Sequence, residues 1–256
     1  MMKAVILAGG QGTRLREETE YRPKPMVQIG HNPILWHIMK IYYSQGIDKF
    51  EVALGFKGEQ IKDYFLNYPH LVGNLTIDYS NGIQKTFHDD HKFEKWTVAL
   101  NDTGLNTNTG GRLFRLREKL KDTFLCTYGD GVANVNIPKL IEFHQKHGKI
   151  ATVTAVRPSA RFGSLEISEA GEVSSFTEKP VSAQWVNGGF FVFNKEIFDY
   201  LEEDSILERE PLERLAQGEE LMAWQHEGFW HPMDTIRDSQ YLNDLWKSGD
   251  APWKIW

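Results

Sequence analysis

Only one cysteine, Cys126, occurs among the 256 residues. A single thiol excludes an internal disulfide and any cysteine metal cluster. Set in Phe124-Leu125-Cys126-Thr127-Tyr128, it reads as a small buried core residue. Long apolar runs are also missing. No stretch approaches the roughly 18 residues of a membrane-spanning helix. The N-terminal run Ala4-Val5-Ile6-Leu7-Ala8 follows a single cation and is too short for a signal peptide. Both absences predict a cytoplasmic protein with no membrane partner. No basic run reaches five residues and the net charge is −6, which argues against a nucleic-acid partner. His88, His91, His144, His147, His226 and His231 lack the HExxH-type spacing of a zinc site and read as core or surface residues. Internal repeats, low-complexity stretches and linkers are absent too, so the length suits one α/β domain in two halves.

What is present alternates between strands and helices. Residues 4–7 form a continuous apolar run ending in glycines, as in a strand buried on both faces of a parallel sheet. Asn32 as cap, Pro33 at the first helical position and Gly46 past the end bracket a helix over 34–43. Residues 50–54 read as a strand and 59–66 as a short amphipathic helix, so the order implies right-handed crossovers. Further strands are expected at 75–79, 96–100, 124–128 and 150–156, and helices at 113–120 and from Asn136 to His147, stopped by Gly148. Residues 102–111 read as a polar loop. After Pro158, short strands at 163–167, 173–176 and 189–193 predict a mixed sheet appended to the first half. Helices follow at 195–201, 208–217 and 236–247, the last opened by a capping box from Thr235 to Asp238.

The strongest functional signal is Leu7-Ala8-Gly9-Gly10-Gln11-Gly12-Thr13-Arg14-Leu15. It follows the first buried strand, where open α/β sheets bind ligands. Its three glycines let backbone amides approach phosphates as a nest of donors, and Arg14 adds a forked cation. No Lys follows the last glycine, which excludes a Walker loop, and the third glycine of a dinucleotide fingerprint is missing. A lone Gly-x-Gly is more often a plain turn. The second signal, Pro23-Lys24-Pro25-Met26, reverses that balance: two prolines hold a lysine on a stiff extended segment, where it serves as a point charge for a phosphate. Asp130, between Gly129 and Gly131 at the end of an apolar strand, and Asp234, just before a helix cap, are the two carboxylates placed to meet Mg²⁺.

These motifs together resemble the sugar nucleotidyltransferases over essentially the whole chain. The resemblance implies a three-layer, Rossmann-like nucleotide-diphospho-sugar transferase fold: a central, mostly parallel mixed sheet with helices on both faces and a small appended sheet. Residues 1–157 would be the nucleotide-binding half, 158–235 the sugar-phosphate-binding half, and 236–256 a C-terminal helix and tail. Asp102-Thr103-Gly104, Thr109-Gly110-Gly111-Arg112 and Phe229-Trp230-His231-Pro232-Met233-Asp234-Thr235 are similar to the branch that uses CTP and glucose 1-phosphate. The Gln-x-x-Pro-x-Gly loop of the thymidylyl and uridylyl branches does not occur at 102–111.

The resemblance further implies that Leu7 to Arg14, Lys24, Thr103, Gly110, Arg112 and Gly129 bind the nucleotide. The base would be read by backbone groups of the glycine loop and of loop 102–111, or by the side chains of Thr103 and Arg112, with Arg112 as a mere cap or bracket of the following helix the alternative. Glu178, Lys179, Asn187 and Gly188 would bind the sugar phosphate, Asp130 and Asp234 would hold Mg²⁺, and Arg14, Lys24 and Lys179 would be catalytic. The product would be CDP-glucose for deoxyhexose and O-antigen polysaccharide synthesis. A uridylyl- or thymidylyltransferase and a silent ligand-sensing relative are the alternatives. Trp230, Trp246, Trp253 and Trp256 suggest a docking face between the subunits of a homo-oligomer.

Overall fold

The computed structural model describes residues 2–72, 74–87, 94–159, 162–178 and 180–256. Seven strands form the central sheet: β1 Ala4–Ala8, β2 Lys49–Leu54, β3 Thr97–Asp102, β4 Phe124–Tyr128, β5 Ala151–Val156, β6 Val186–Phe193 and β7 Leu221–His226. Their spatial order is β7-β5-β6-β4-β1-β2-β3. Every neighbouring pair is parallel except the two made by β6, which runs antiparallel between β4 and β5. Alternation along β1 divides the core. Ala4, Ile6 and Ala8 face a layer built on helix α1 Ile34–Tyr43, whereas Val5 and Leu7 face Leu113, Ile197 and Leu215 on the other side. This is the expected sheet with helices on both faces. Helices α2 Gly58–Val72, α3 Thr109–Arg115, α4 Ile137–His147, α5 Glu210–Gln217 and α6 Ile236–Ser248 complete it. Among the described residues no helix is long and apolar enough to cross a membrane.

Punctuation by caps was read correctly for α4 and α6. The Asn136 side chain accepts from the Lys139 N–H, and Gly148 ends α4 in the left-handed region. Thr235 and Asp238 bond reciprocally, as a capping box requires. Four expectations need correction. Pro33 is itself the N-cap of α1, because Asn32 and Pro33 pair with Gln28 and Ile29 in a two-residue ladder. Helix α3 begins at Thr109, four residues before the expected start, because Gly110 and Gly111 let it press against Ser205 and Glu203; added Cβ atoms would lie 2.8 and 2.1 Å from those residues. Residues 186–193 belong to the central sheet, and only Ser164–Ile167 and Val173–Thr177 form a separate hairpin. Lys24 stands on a 3₁₀ turn, Lys24–Met26, and only Pro23 before it is extended. Strand β7 was missed: Leu221-Met222-Ala223-Trp224-Gln225-His226 contains no β-branched residue, and its edge position rests on pairing with β5.

The expected tryptophan docking face is also corrected. Trp253 is fully buried, and Trp246 and Trp256 gather with it around His37. The rings pack the chain's own core, because the C-terminal tail folds back onto α1. Cys126 is buried and unpaired, as expected.

Candidate active site

A cleft of about 600 Å³ opens at the carboxyl ends of β1 and β4. Its floor is the glycine loop that leaves β1. Gly12 adopts φ 61°, and a Cβ there would lie 2.7 Å from Thr19 Cγ2, so only glycine fits. The Thr19 hydroxyl lies 3.1 Å from the Gly12 carbonyl and 3.0 Å from that of Leu15, which ties the loop to the following turn. Nothing lies within 4 Å of the position a Gly10 Cβ would take, so the backbone there is open to a ligand.

Four charged groups meet on one wall. Lys24 Nζ donates to Asp130 Oδ2 at 2.6 Å and to Asp234 Oδ1 at 2.7 Å, and Arg14 donates to Asp234 Oδ2 at 2.9 Å. Burial alone would lower the Lys24 pKa, but the charges and hydrogen bonds of Asp130 and Asp234 outweigh it and raise the pKa. The ammonium is therefore fully charged and only 7% exposed. The Met233 N–H donates to the Asp130 carbonyl at 2.7 Å, so the two carboxylate segments are tied together behind the site. Both carboxylates aim at the point that Lys24 Nζ occupies. Among the described residues no third His, Cys, Asp or Glu completes a cluster. Two carboxylates are a donor set that suits Mg²⁺, which prefers one or two carboxylates together with phosphate oxygens and water.

Of the residues expected at the nucleotide, Leu7, Ala8, Gly9, Gly10, Gly12, Thr13, Arg14, Lys24, Arg112 and Gly129 line the cleft. Gln11 is exposed and does not. Thr103 and Gly110 are buried outside the cleft lining. The Thr103 hydroxyl lies 2.6 Å from the Leu54 carbonyl and 2.7 Å from Arg112 Nη1. Arg112 is 3% exposed. Its guanidinium also donates to the carbonyls of Leu54, Gly104, Gly9 and Leu105, at 2.8, 2.8, 2.9 and 3.4 Å. These acceptors engage both terminal nitrogens, so Arg112 braces the glycine loop against loop 103–108. A Cβ on Gly9 would lie 2.2 Å from that guanidinium, which explains the first glycine of the motif.

On the sugar side, Asn187 and Gly188 line the cleft. Glu178 is exposed and outside it, and Lys179 lies outside the described residues, as do His88 and His91.

The nucleotidyl transferase family model matches residues 3–231. The chain belongs to the nucleotidyl transferase family. It is 52% identical, over the full length of both chains, to glucose-1-phosphate cytidylyltransferase of Salmonella typhi. It is 45% identical, again over both full lengths, to a probable glucose-1-phosphate cytidylyltransferase of Bacillus subtilis. A solved structure of HddC from Yersinia pseudotuberculosis, complexed with GMP-PN, superposes with a TM-score of 0.69 at 22% identity, covering 96% of this chain and 100% of that one. At that identity the likeness speaks for the fold.

This nucleotidyl transferase cleft also contains residues that motif reading did not assign. Tyr128, Glu208 and Trp230 line it. Trp230 Nε1 donates to the Gly188 carbonyl at 2.7 Å and pins the sugar-side turn. Tyr128 had a signal, as the last residue of a strand that delivers Asp130. Glu208 had none: it comes from a loop far away in sequence, and only the closed fold brings it to Tyr128.

Proposed function

We infer that this enzyme transfers a cytidylyl group from CTP to α-D-glucose 1-phosphate, giving CDP-glucose and pyrophosphate. The observation that carries the reading is Lys24 held between Asp130 and Asp234 beside an open glycine loop. A phosphate oxygen of the sugar attacks the α-phosphorus as the bond to the β-phosphate oxygen breaks, and pyrophosphate leaves. The nucleophile is already anionic, so no protein base is needed. Catalysis is then positioning and charge stabilisation.

Asp130 and Asp234 are the residues that would hold Mg²⁺, which supplies positive charge shared among the phosphate oxygens. Backbone amides of the loop from Gly9 to Thr13 receive the triphosphate. Arg14 and Lys24 leave their carboxylates for the departing pyrophosphate. The resemblance assigns Lys179 and Glu178 to the sugar phosphate, and Asn187 offers a hydrogen bond to a sugar hydroxyl. Base selection falls to the backbone of the glycine loop and of loop 103–108, which Arg112 and Thr103 fix in register. The exposed Phe162, Leu165, Ile167, Val173 and Phe176 on and beside the hairpin support assembly of several copies. The test is pyrophosphate release from glucose 1-phosphate with each of CTP, UTP, dTTP, GTP and ATP. Release with CTP several-fold above the others is expected; a stronger response to UTP or dTTP overturns the assignment of the base.

A further inference from the structure

Glu208 stands at the junction of the two sides of the cleft. One carboxylate oxygen accepts from the Tyr128 hydroxyl at 2.6 Å, and the other accepts from the Thr109 hydroxyl at 2.6 Å. Thr109 opens α3 and also accepts from the Leu207 N–H at 3.0 Å, so the loop carrying Glu208 is tied to the helix start. Tyr128 in turn accepts from Asn187 Nδ2 at 3.1 Å, and Asn187 Oδ1 accepts from the Gly189 N–H at 2.8 Å. The Tyr128 ring packs against Gly189, where a Cβ would be 2.3 Å from Tyr128 Cδ2 and where φ is +78°.

The directions of these bonds are fixed by chemistry. An ionised carboxylate only accepts, so the Tyr128 proton must point to Glu208. Tyr128 then has only a lone pair for Asn187, which must offer its amide nitrogen. The orientation of that amide is thereby set, with its oxygen committed to Gly189 and its second N–H left for a ligand. Burial, reinforced by Glu208, pushes the Tyr128 hydroxyl pKa well above its ordinary value, so the proton stays on the ring.

We propose that Glu208 is a positioning residue for the sugar subsite: through Tyr128 it sets the polarity of Asn187, so that the turn presents a donor to an acceptor oxygen of the hexose. This rests on the reading of Asn187 as a sugar contact. Thr109 gives the same carboxylate a hold on the start of α3, so Glu208 joins the sugar turn to the nucleotide wall.

The experiment compares Tyr128→Phe, Glu208→Ala, Glu208→Gln and Asn187→Ala in steady-state kinetics with CTP and glucose 1-phosphate, alongside melting temperatures. Loss of one oriented hydrogen bond predicts about a tenfold rise in the sugar-phosphate KM for Tyr128→Phe and Glu208→Ala, with the CTP KM within about twofold. Glu208→Gln keeps an oxygen for the Tyr128 hydroxyl and sets an amide nitrogen opposite Thr109, whose hydroxyl can turn from donor to acceptor; it should recover most of the loss. The double variant Tyr128→Phe/Glu208→Ala should be no worse than its poorer parent, since both cut one chain. If Asn187→Ala leaves the sugar-phosphate KM unchanged, the reading of Asn187 fails. If Asn187→Ala raises it while Tyr128→Phe and Glu208→Ala do not, the relay through Glu208 fails. A lowered melting temperature with both KM values unmoved assigns Glu208 a bracing role only and overturns the proposal.

Discussion

The two walls of the cleft are built differently. The nucleotide wall is rigid by construction: Arg112 ties its loops together through backbone carbonyls, and Lys24 is buried between two carboxylates. The sugar wall stands on one antiparallel strand, β6, which contributes Asn187, Gly188 and Phe190 to the cleft. Side chains hold its turn in place: Tyr128, bonded to Glu208, accepts from Asn187, and Trp230 donates to the Gly188 carbonyl. On the function proposed above, a triphosphate meets a preorganised charge cradle, and the sugar meets a turn whose polarity is set through Tyr128.

The sharpest way to break this contrast is to strip charge from the nucleotide wall. Asp130→Asn keeps the shape but removes half of the carboxylate pair. It should lose nearly all turnover, beyond the roughly 10²–10³ that one preorganised group supplies. Pyrophosphate release restored at ordinary Mg²⁺ concentrations would remove Asp130 from the metal site.

Lys24→Met should cost on the order of 10²–10³ in turnover, because a fixed cation opposite the leaving group is gone. It should also do something a merely structural lysine would not. Lys24 already fills the point at which both carboxylates aim. A divalent cation must displace two charge-assisted hydrogen bonds worth about 1.5–3 kcal/mol each. Titrating Mn²⁺ by electron paramagnetic resonance without CTP should therefore show binding at least about tenfold tighter in Lys24→Met than in the parent. Equal affinities would mean that lysine and metal do not compete.

Arg112→Ala tests whether the wall is braced or reads the base. Five acceptors lose a hydrogen bond, although the Leu54 carbonyl keeps those from Thr103 and the Gly9 carbonyl that from the Phe56 N–H, so unfolding in urea should show a loss of about 3 kcal/mol. The ratio of CTP to UTP use should stay near that of the parent. A collapsed ratio at full stability would return Arg112 to base recognition.

How much of this was legible beforehand follows from where each signal lies. The glycine loop, Lys24, Asp130 and Asp234 are local patterns of backbone freedom and charge beside strand ends, and they converge in the fold as read. Helix α4 was legible because Asn136 and Gly148 are chemical punctuation. The bracing by Arg112 was not legible because a sequence shows the cation but not the carbonyls that surround it. Gly110 and Gly111 looked like loop residues until the close approach of Ser205 and Glu203 gave them a packing reason. Glu208 and Tyr128 form a long-range pair, which no local spacing encodes. The place of β6 in the central sheet depends on topology, which a strand of ordinary composition does not announce.

The smallest expected effect concerns the scaffold behind the nucleotide wall and is read through pH. His37 on α1 is completely buried; its Nε2 lies 2.9 Å from the Ile29 carbonyl, and its Nδ1 faces Trp253 Nε1 at 3.4 Å. Donation from Nε2 leaves Nδ1 as the acceptor for the indole, which only the neutral ring can satisfy. Desolvation, partly countered by the bond to Ile29 and assisted by Lys254, lowers the pKa from 6.5 to about 4. The unfolded chain therefore takes up this proton near pH 6.5, whereas the folded chain resists until about pH 4. Across that window the unfolded state binds more protons, so stability falls as pH falls, by about 1.4 kcal/mol per unit for a fully shifted group. Above about pH 6.5 His37 adds no slope, and below about pH 4 its contribution is flat. Other histidines with lowered values, His144, His147 and His226, add slopes of the same sign. The measurement is consequently a difference: urea unfolding at pH 7, 6 and 5 for the parent and for His37→Gln, which keeps a donor and an acceptor but cannot titrate. The variant should be less stable at pH 7 through poorer packing, yet its decline toward pH 5 should be shallower by about 1 kcal/mol per unit. Parallel declines in the two proteins would show that the ring is not held neutral in the folded core.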